Sequence, residues 1–314
     1  MGVAFRSLPF IKLPIDQVNS MMTQEHGLPI IGVGLRHPHY EAALESTAPV
    51  DFLEVHAENF FMPGGAALAV LKNIREHYAL SIHGTALSLG SLTGLSEDHI
   101  GKFKYLVEHF DPILISDHAC FSQSRMADGP LLHLGDLLPL SFNEVCLNAL
   151  VQNIQQVQEA LDKIIMIENL SAYLEMPENT MTESEFLVET CKKSGCKLLI
   201  DLNNLVVNAT NAQVANIQHG VTEFLTQIPE SLVGELHLAG CTTVAPGEIM
   251  VDDHSQPVPE NVWAVYRNAL MLYGPKPTLI EWDTALPSWQ TLLAEAAKAR
   301  AVADEVLSLT RSAC

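Results

Sequence analysis

A chain of 314 residues with 48% hydrophobic and 17% charged residues can bury a large core and does not read as disordered. Its 37 acidic against 17 basic residues give a formal charge of −20, which repels nucleic acid because phosphate recognition depends on Lys and Arg. Mean hydropathy is slightly positive, yet every apolar run is short of the roughly 20 residues that span a bilayer, so neither a nucleic-acid nor a membrane partner is expected.

The first residues, MGVAFRSLPFIKLPIDQ, lack a basic segment followed by a sustained apolar one, and Arg6 stands where a myristoylation signal requires Ser or Thr. A cytoplasmic protein is expected. The six cysteines are scattered without a CxxC pair or disulfide-scaffold density and read mostly as buried thiols.

Eight apolar runs follow in order: IGVGL (31–35), DFLEVH (51–56), LSIHG (80–84), ILISDH (113–118), IIMIEN (164–169), LLIDLNN (198–204), GELHLAG (234–240) and TLIEWD (278–283). Continuous Val, Ile and Leu runs of this length are parallel strands buried on both faces. Helical patterns lie between them. The clearest is 142–162, where Val145, Ala149, Leu150, Ile154, Val157 and Leu161 recur at helical spacing, with Ser141 and Glu144 as a capping-box pair. The helix that precedes Gly195 ends in Lys192 and Lys193, a C-terminal signal of positive charge and a left-handed cap.

Alternating strands and helices imply right-handed parallel crossovers, and eight such units suit a closed (β/α)8 barrel of the TIM type. No composition shift divides residues 1–314, so a single domain is expected. Longer connections follow the fourth strand (CFSQSRMADGPLLHLGDLLPL) and the seventh (CTTVAPGEIMVDDHSQPVPE), where a barrel shapes its pocket.

Six of the eight runs end in a residue able to hold a metal: His83, His118, Glu168, Asp201, His237 and Glu281. One such His is more often a hydrogen-bonded rim residue, and one such Asp often caps the next helix. Six together differ, because the carboxyl ends of barrel strands converge on one opening. Imidazole and carboxylate ligands without a cysteine cluster suit iron, manganese or zinc. With Asp252 and His254 as further donors there are too many for one ion, and two or three metals are implied, with Glu168 and Glu281 as bridging candidates. Asn169, Asn203 and Asn204 stand where they would orient ligands or bound water. His56, in EVHAENF with Asn59, reads as a ligand, a substrate contact or a supporting base, and Arg36 with His37 as a carboxylate-binding pair unless Arg36 meets a neighbouring acid. His26, His77, His99 and His109 read as solvated, and His133 as a loop-packing residue. No nucleophile elbow, phosphate loop or dinucleotide fingerprint occurs in a supporting context.

Taken in order, GVGLRHPHY, EVHAENFF, SIHGTALSLGS, ISDHACFS, GDLLPL, IENLSAYL, IDLNN, ELHLAG, DDH and IEWD resemble the multinuclear non-haem iron-dependent oxidases, enzymes that modify cysteines of small ribosomal peptides, and within them the bufferin-maturase and methanobactin-maturase types. The resemblance runs from about residue 30 to about residue 297. It implies two or three irons in a mixed-valent Fe2+/Fe3+ state with O2 as co-substrate. It also implies oxidative heterocycle formation at cysteines of a precursor peptide, linked to copper binding by the product, with a small partner protein that delivers the peptide. By motif, His83, His118 and Glu168 would hold one iron, Glu168, Asp201, His237 and Glu281 a second, and Asp252 with His254 would complete a third; Glu168, Asp201 and His254 would act in catalysis. Asp117-His118 departs from the Glu-His common in the family, and Cys241 and Asp253-His254 depart likewise. A divalent-metal sugar isomerase or epimerase, or a three-metal endonuclease, would use the same donor types on the same barrel.

Overall fold

The computed structural model describes residues 28–313 except 46, 126–128, 130, 175 and 246. The N-terminal segment read above for targeting signals, with His26, lies outside the described residues.

In chain order the strands are β1 (Ile31–Gly34), β2 (Phe52–His56), β3 (Ala79–Gly84), β4 (Leu114–His118), β5 (Phe121–Arg125), β6 (Leu131–Leu138), β7 (Met166–Glu168), β8 (Lys197–Asp201), β9 (Val233–Leu238) and β10 (Thr278–Ile280). The helices are α1 (Tyr40–Glu45), α2 (Gly65–Arg75), α3 (Glu97–Phe110), α4 (Glu144–Leu161), α5 (Glu183–Ser194), α6 (Leu202–Asn211), α7 (Ile217–Thr226), α8 (Glu260–Tyr273) and α9 (Trp289–Ala313). Eight strands close into a barrel in the order β1-β10-β9-β8-β7-β4-β3-β2, every neighbouring pair parallel. This is the expected (β/α)8 architecture. Among the described residues no helix is long and apolar enough to cross a membrane.

Side chains alternate along each strand, so the faces divide cleanly. One face packs with the helices into the main core, where Trp263 and Tyr266 of α8 are fully buried. The other fills the barrel, whose amino-terminal floor is a separate apolar cluster of Ile30, Phe52, Leu114, Met166, Leu199 and Leu279. Gly32 is required there, since a Cβ would lie 2.4–2.6 Å from carbons of the Phe52 ring. Without a side chain at 32, Phe52 closes the floor.

The connection after β4 reads as a loop in the sequence, but β5 and β6 pair as an antiparallel ribbon outside the barrel. His133 is exposed on β6 and does not pack. Helix α4 is capped by Asn143, whose side-chain oxygen accepts from the Val145 and Cys146 amides, and not by the Ser141–Glu144 box. Asn143 lies immediately before the first helical residue, the only place from which a side chain reaches those amides. Val145 is consequently exposed, and Leu147 joins Leu150, Ile154, Val157 and Leu161 on the buried face. The end of α5 is as read, with Gly195 in the left-handed region at φ 81°.

Candidate metal centre

Register aligns the strand-end residues in neighbouring pairs: His56 beside His83, His118 beside Glu168, and Asp201 beside His237. Each follows a buried residue, apolar except for Asp117 before His118, so the pleat turns all of them into the carboxyl-end mouth of the barrel.

His83 and His118 meet edge to face with ring centroids 4.6 Å apart. Their Nε2 atoms lie 3.4 and 3.5 Å from Glu168 Oε2, an atom that is buried without a hydrogen bond. His83 Nδ1 contacts Ser116 Oγ at 2.8 Å. A proton on that nitrogen leaves the Nε2 lone pair facing Glu168, the form a cation requires.

Glu168, Asp201, His237 and Glu281 form a second group whose donor atoms all lie within 4.8 Å of one another. Asp201 serves two roles that compete in the sequence. Its Oδ1 accepts from the Asn204 amide at 2.6 Å and caps α6, while its Oδ2 is buried without a partner. Asn169 fixes the backbone here, accepting from the Asp201 amide at 2.9 Å and donating to the Asp201 carbonyl at 3.1 Å. Asn204 donates to the Asn169 carbonyl at 3.0 Å, and Asn203 donates to Asp252 Oδ1 at 2.8 Å.

That last bond draws the loop after β9 over the mouth. His254 has φ 41°, a left-handed conformation that costs a non-glycine residue energy and marks an over-determined position. Its carbonyl accepts from the Asp283 amide at 2.9 Å, and Thr284 donates to the Asp253 carbonyl at 2.6 Å. So held, His254 Nε2 lies 2.7 Å from Asp252 Oδ1 and 3.9 Å from Asp201 Oδ2, while Nδ1 lies 3.3 Å from Glu281 Oε2 and 3.5 Å from Asp283 Oδ2.

Arg36 takes the alternative open to it. Its guanidinium grips Asp283 through Nε at 2.9 Å and through Nη2, and reaches Glu281 Oε1 at 3.5 Å and His56 Nε2 at 2.7 Å. It forms a wall of the site and has no fork free for a substrate carboxylate; His37 is exposed.

Burial dominates the electrostatics. Desolvation pulls His83 well below its usual value, helped by His118, and pulls His118 down to about 4, so both are neutral near pH 7. Desolvation pushes Glu168 well up and Asp201 up to about 7. At His237 and His254 burial acts downward, but carboxylates win: Glu54 and Glu281 hold His237 high, and Asp252 and Glu281 hold His254 high. Burial likewise opposes ionisation of Glu281, yet His254 and His237 keep it well below the carboxylate range. Glu168 Oε2, Asp201 Oδ2 and His254 Nε2 are buried at the mouth without hydrogen-bond geometry to any partner. Buried polar atoms are normally paired, so this convergent set of orphaned atoms fits a cation rather than a closed hydrogen-bond network.

The structure therefore gathers His83, His118, Glu168, Asp201, His237, Glu281, Asp252 and His254 around one mouth, with Asn169, Asn203, Arg36 and His56 beside them. Asn59 is not among them; it is exposed on the turn after β2, and its neighbour Glu58 is the residue that binds inward. Glu58 accepts from the Thr85 and Ala86 amides and meets His99 Nε2 at 3.1 Å. His99 is thus paired, with Phe61 against its ring, and not solvated as its helix position suggested. Cys241 sits half-buried near this loop, its thiol pushed up to about 11 by burial and then by Asp252 and Asp253. Of the cysteines described, Cys120, Cys191 and Cys196 are buried and Cys146 is half-buried.

Three acids escaped the sequence reading. Asp283 joins Arg36 to His254 just past β10. Glu54 and Glu235 stand inside the barrel below the mouth, each fully buried. For these last two the signal was available: each is two residues before a strand-end histidine, and residues two apart share a strand face.

Comparison with known proteins bears on both fold and function. The sequence model of the RiPP precursor modification enzyme family MbnB/TglH/ChrH, enzymes acting on ribosomally made peptides, matches residues 30–304. A UPF0276 protein of Vibrio parahaemolyticus is 40% identical over 292 residues, 91% of this chain and 97% of its own. A UPF0276 protein of Chromobacterium violaceum is 40% identical over 279 residues, 88% of this chain and 96% of its own. Among solved structures, a xylose isomerase-like TIM barrel protein from Mycobacterium smegmatis in complex with magnesium superposes with TM-score 0.57 at 12% identity, covering 90% of this chain and 98% of that one. Endonuclease IV from Thermus thermophilus gives TM-score 0.51 at 11% identity over 88% of this chain and 100% of that one. These two share the barrel and, at such identities, only the barrel. The family model and the 40% identical relatives extend over nearly the whole barrel, and this chain belongs to the MbnB/TglH/ChrH family of RiPP precursor modification enzymes.

Proposed function

We propose that the chain is an O2-dependent oxidase that holds two or three irons, in a mixed Fe2+/Fe3+ state, at the mouth of its barrel and converts cysteines of a ribosomally made precursor peptide into oxidised heterocycles that bind copper. The observation that carries this reading is Glu168. It belongs both to the group with His83 and His118 and to the group with Asp201, His237 and Glu281, as a carboxylate shared between two cations must.

Iron bound there would supply one-electron chemistry with O2 and would stabilise the substrate thiolate. The chain's own residues supply the rest. His83 and His118 are held neutral by burial and so offer lone pairs at neutral pH. Asp201, pushed up to about 7 by burial, gives up its proton near neutral pH and then offers Oδ2 to the metal. His254 links Asp252, Glu281 and Asp283 and completes the third group. Arg36 and Asp283 brace Glu281 and His56, so the mouth keeps its shape as charge changes. Exposed Leu174, Ile249 and Val251, on the loops after β7 and β9, give the peptide apolar surface close to the mouth. Tyr173 joins these loops by accepting from the Asp252 amide at 2.9 Å.

Peptide delivery falls to a small partner protein encoded separately. The test is aerobic co-expression of the chain with small Cys-containing open reading frames encoded beside it, followed by mass spectrometry of the peptides. A mass change at cysteine that requires O2 and iron is expected. An unchanged peptide with iron-loaded enzyme and partner present would contradict the reading, and a pull-down that captures no small protein would remove the partner from it.

A further inference from the structure

Below the mouth the barrel holds a second group of donors that the iron sites described above do not use. Glu54 on β2 and Glu235 on β9 point into the barrel, each 0% exposed, one residue pair below the strand-end ring and above the apolar floor. His237 connects the two levels. Its Nδ1 faces Glu281 Oε2 at 3.1 Å, while its Nε2 faces inward, 3.7 Å from Glu54 Oε2 and 3.8 Å from Glu235 Oε1.

Those inward separations are too long for hydrogen bonds. Glu54 Oε2 accepts from Ser81 Oγ at 3.0 Å, but Glu54 Oε1, both oxygens of Glu235 and His237 Nε2 are buried without any partner. A buried carboxyl with neither oxygen paired, as at Glu235, is costly, and the half-paired Glu54 facing the same imidazole nitrogen adds to the cost. A cation among them satisfies all three residues at once. At about 2.2 Å from each donor, separations of this size subtend roughly 115–120°, within ordinary coordination angles.

We infer that Glu54, Glu235 and His237 Nε2 form an inner divalent-cation site, distinct from the groups at the mouth and joined to them through the His237 ring. Two carboxylates and one imidazole select a first-row ion such as Mn2+ or Fe2+ over a thiolate-seeking one. The site lies off the path of substrate and serves to neutralise the barrel interior and to fix the plane of His237 from below.

The test is a crystal of the full-length protein equilibrated anaerobically with Mn2+ alone, with anomalous difference maps at the manganese edge. A peak enclosed by Glu54, Glu235 and His237 Nε2 is expected. No peak there, or a water in its place, overturns the inner site whatever the mouth contains. Empty maps at His83, His118 and Glu168 would instead count against the proposed function, so the two failures are distinguishable. In solution, Glu235→Gln is expected to bind one equivalent of Mn2+ fewer than the wild-type chain, and equal stoichiometry would overturn the proposal independently.

Discussion

The two ends of the barrel interior are built from the same strands and obey opposite rules. At the amino end Phe52, Leu114, Met166, Leu199 and Leu279 pack with Ile30 into an apolar floor. Two to four residues further along the same faces stand His56, His118, Glu168, Asp201, His237 and Glu281, a crowd of donors of which Glu168, Asp201 and His237 each keep a buried atom without a partner. The floor contributes stability through burial, about 1.5–3 kcal/mol for each large side chain. The mouth opposes it, since burial of Glu168 and Asp201 is unfavourable enough to raise their pKa values. Stability and chemistry are thus separated along the strand axis, and a substitution should affect one or the other according to its depth.

The largest effect should come from Glu168. Glu168→Ala removes the carboxylate common to two groups and should lower turnover of the peptide by on the order of 10³-fold or more, the loss expected when several kcal/mol of metal-derived stabilisation disappear. Thermal unfolding of the metal-free variant should show no loss of stability, because an unpaired buried carboxylate has gone. At the other end, Phe52→Ala should cost about 3–5 kcal/mol in denaturant unfolding, yet leave metal stoichiometry unchanged in the folded protein. If Phe52→Ala lost metal while remaining folded, the separation by depth would fail.

A smaller effect is expected where the wall meets the donors. Asp283→Ala leaves Arg36 with only Glu281 and His56 to hold it and frees one side of His254, and should weaken metal affinity by about 10–100-fold. Acidity should act at the mouth in a defined direction. Cations bind deprotonated ligands, and burial places Asp201 at about 7, so metal binding must displace its proton and affinity should rise with pH up to that region. Below it, affinity measured by calorimetry should fall by about tenfold per pH unit for each proton displaced. The smallest effect belongs to Asn59, whose exposed side chain lies outside the donor ring. Asn59→Ala should alter unfolding free energy by no more than about 0.5 kcal/mol and leave metal content unchanged.

What could be read in the sequence follows the same division. The strands were legible because a parallel strand buried on both faces leaves an apolar run that ends abruptly, and the polar residue that ends it was legible for the same reason. Glu54 and Glu235 were not, because a single acid inside DFLEVH or GELHLAG looks like an ordinary interruption. Their meaning appears only when residues two apart are placed on one face. The ribbon of β5 and β6 was hidden by short alternating segments broken by Gly135, which read as a loop. The cap of α4 was misread by two residues because Ser141 and Asn143 carry the same signal, and only the backbone selects Asn143. The loop at 252–254 had no periodicity to announce it. Family motifs pointed to it, and the hydrogen bonds from Asn203 and Thr284 place it over the mouth.

The central claim is that the mouth holds iron in two groups that share Glu168. Anaerobic reconstitution of the full-length chain with Fe2+, followed by iron analysis and Mössbauer spectroscopy, tests it most directly. At least two irons per chain are predicted in the wild type, with the coupled signal of a bridged pair that disappears in Glu168→Ala. Fewer than one iron per chain, or iron content and spectrum unchanged by Glu168→Ala, would contradict the account.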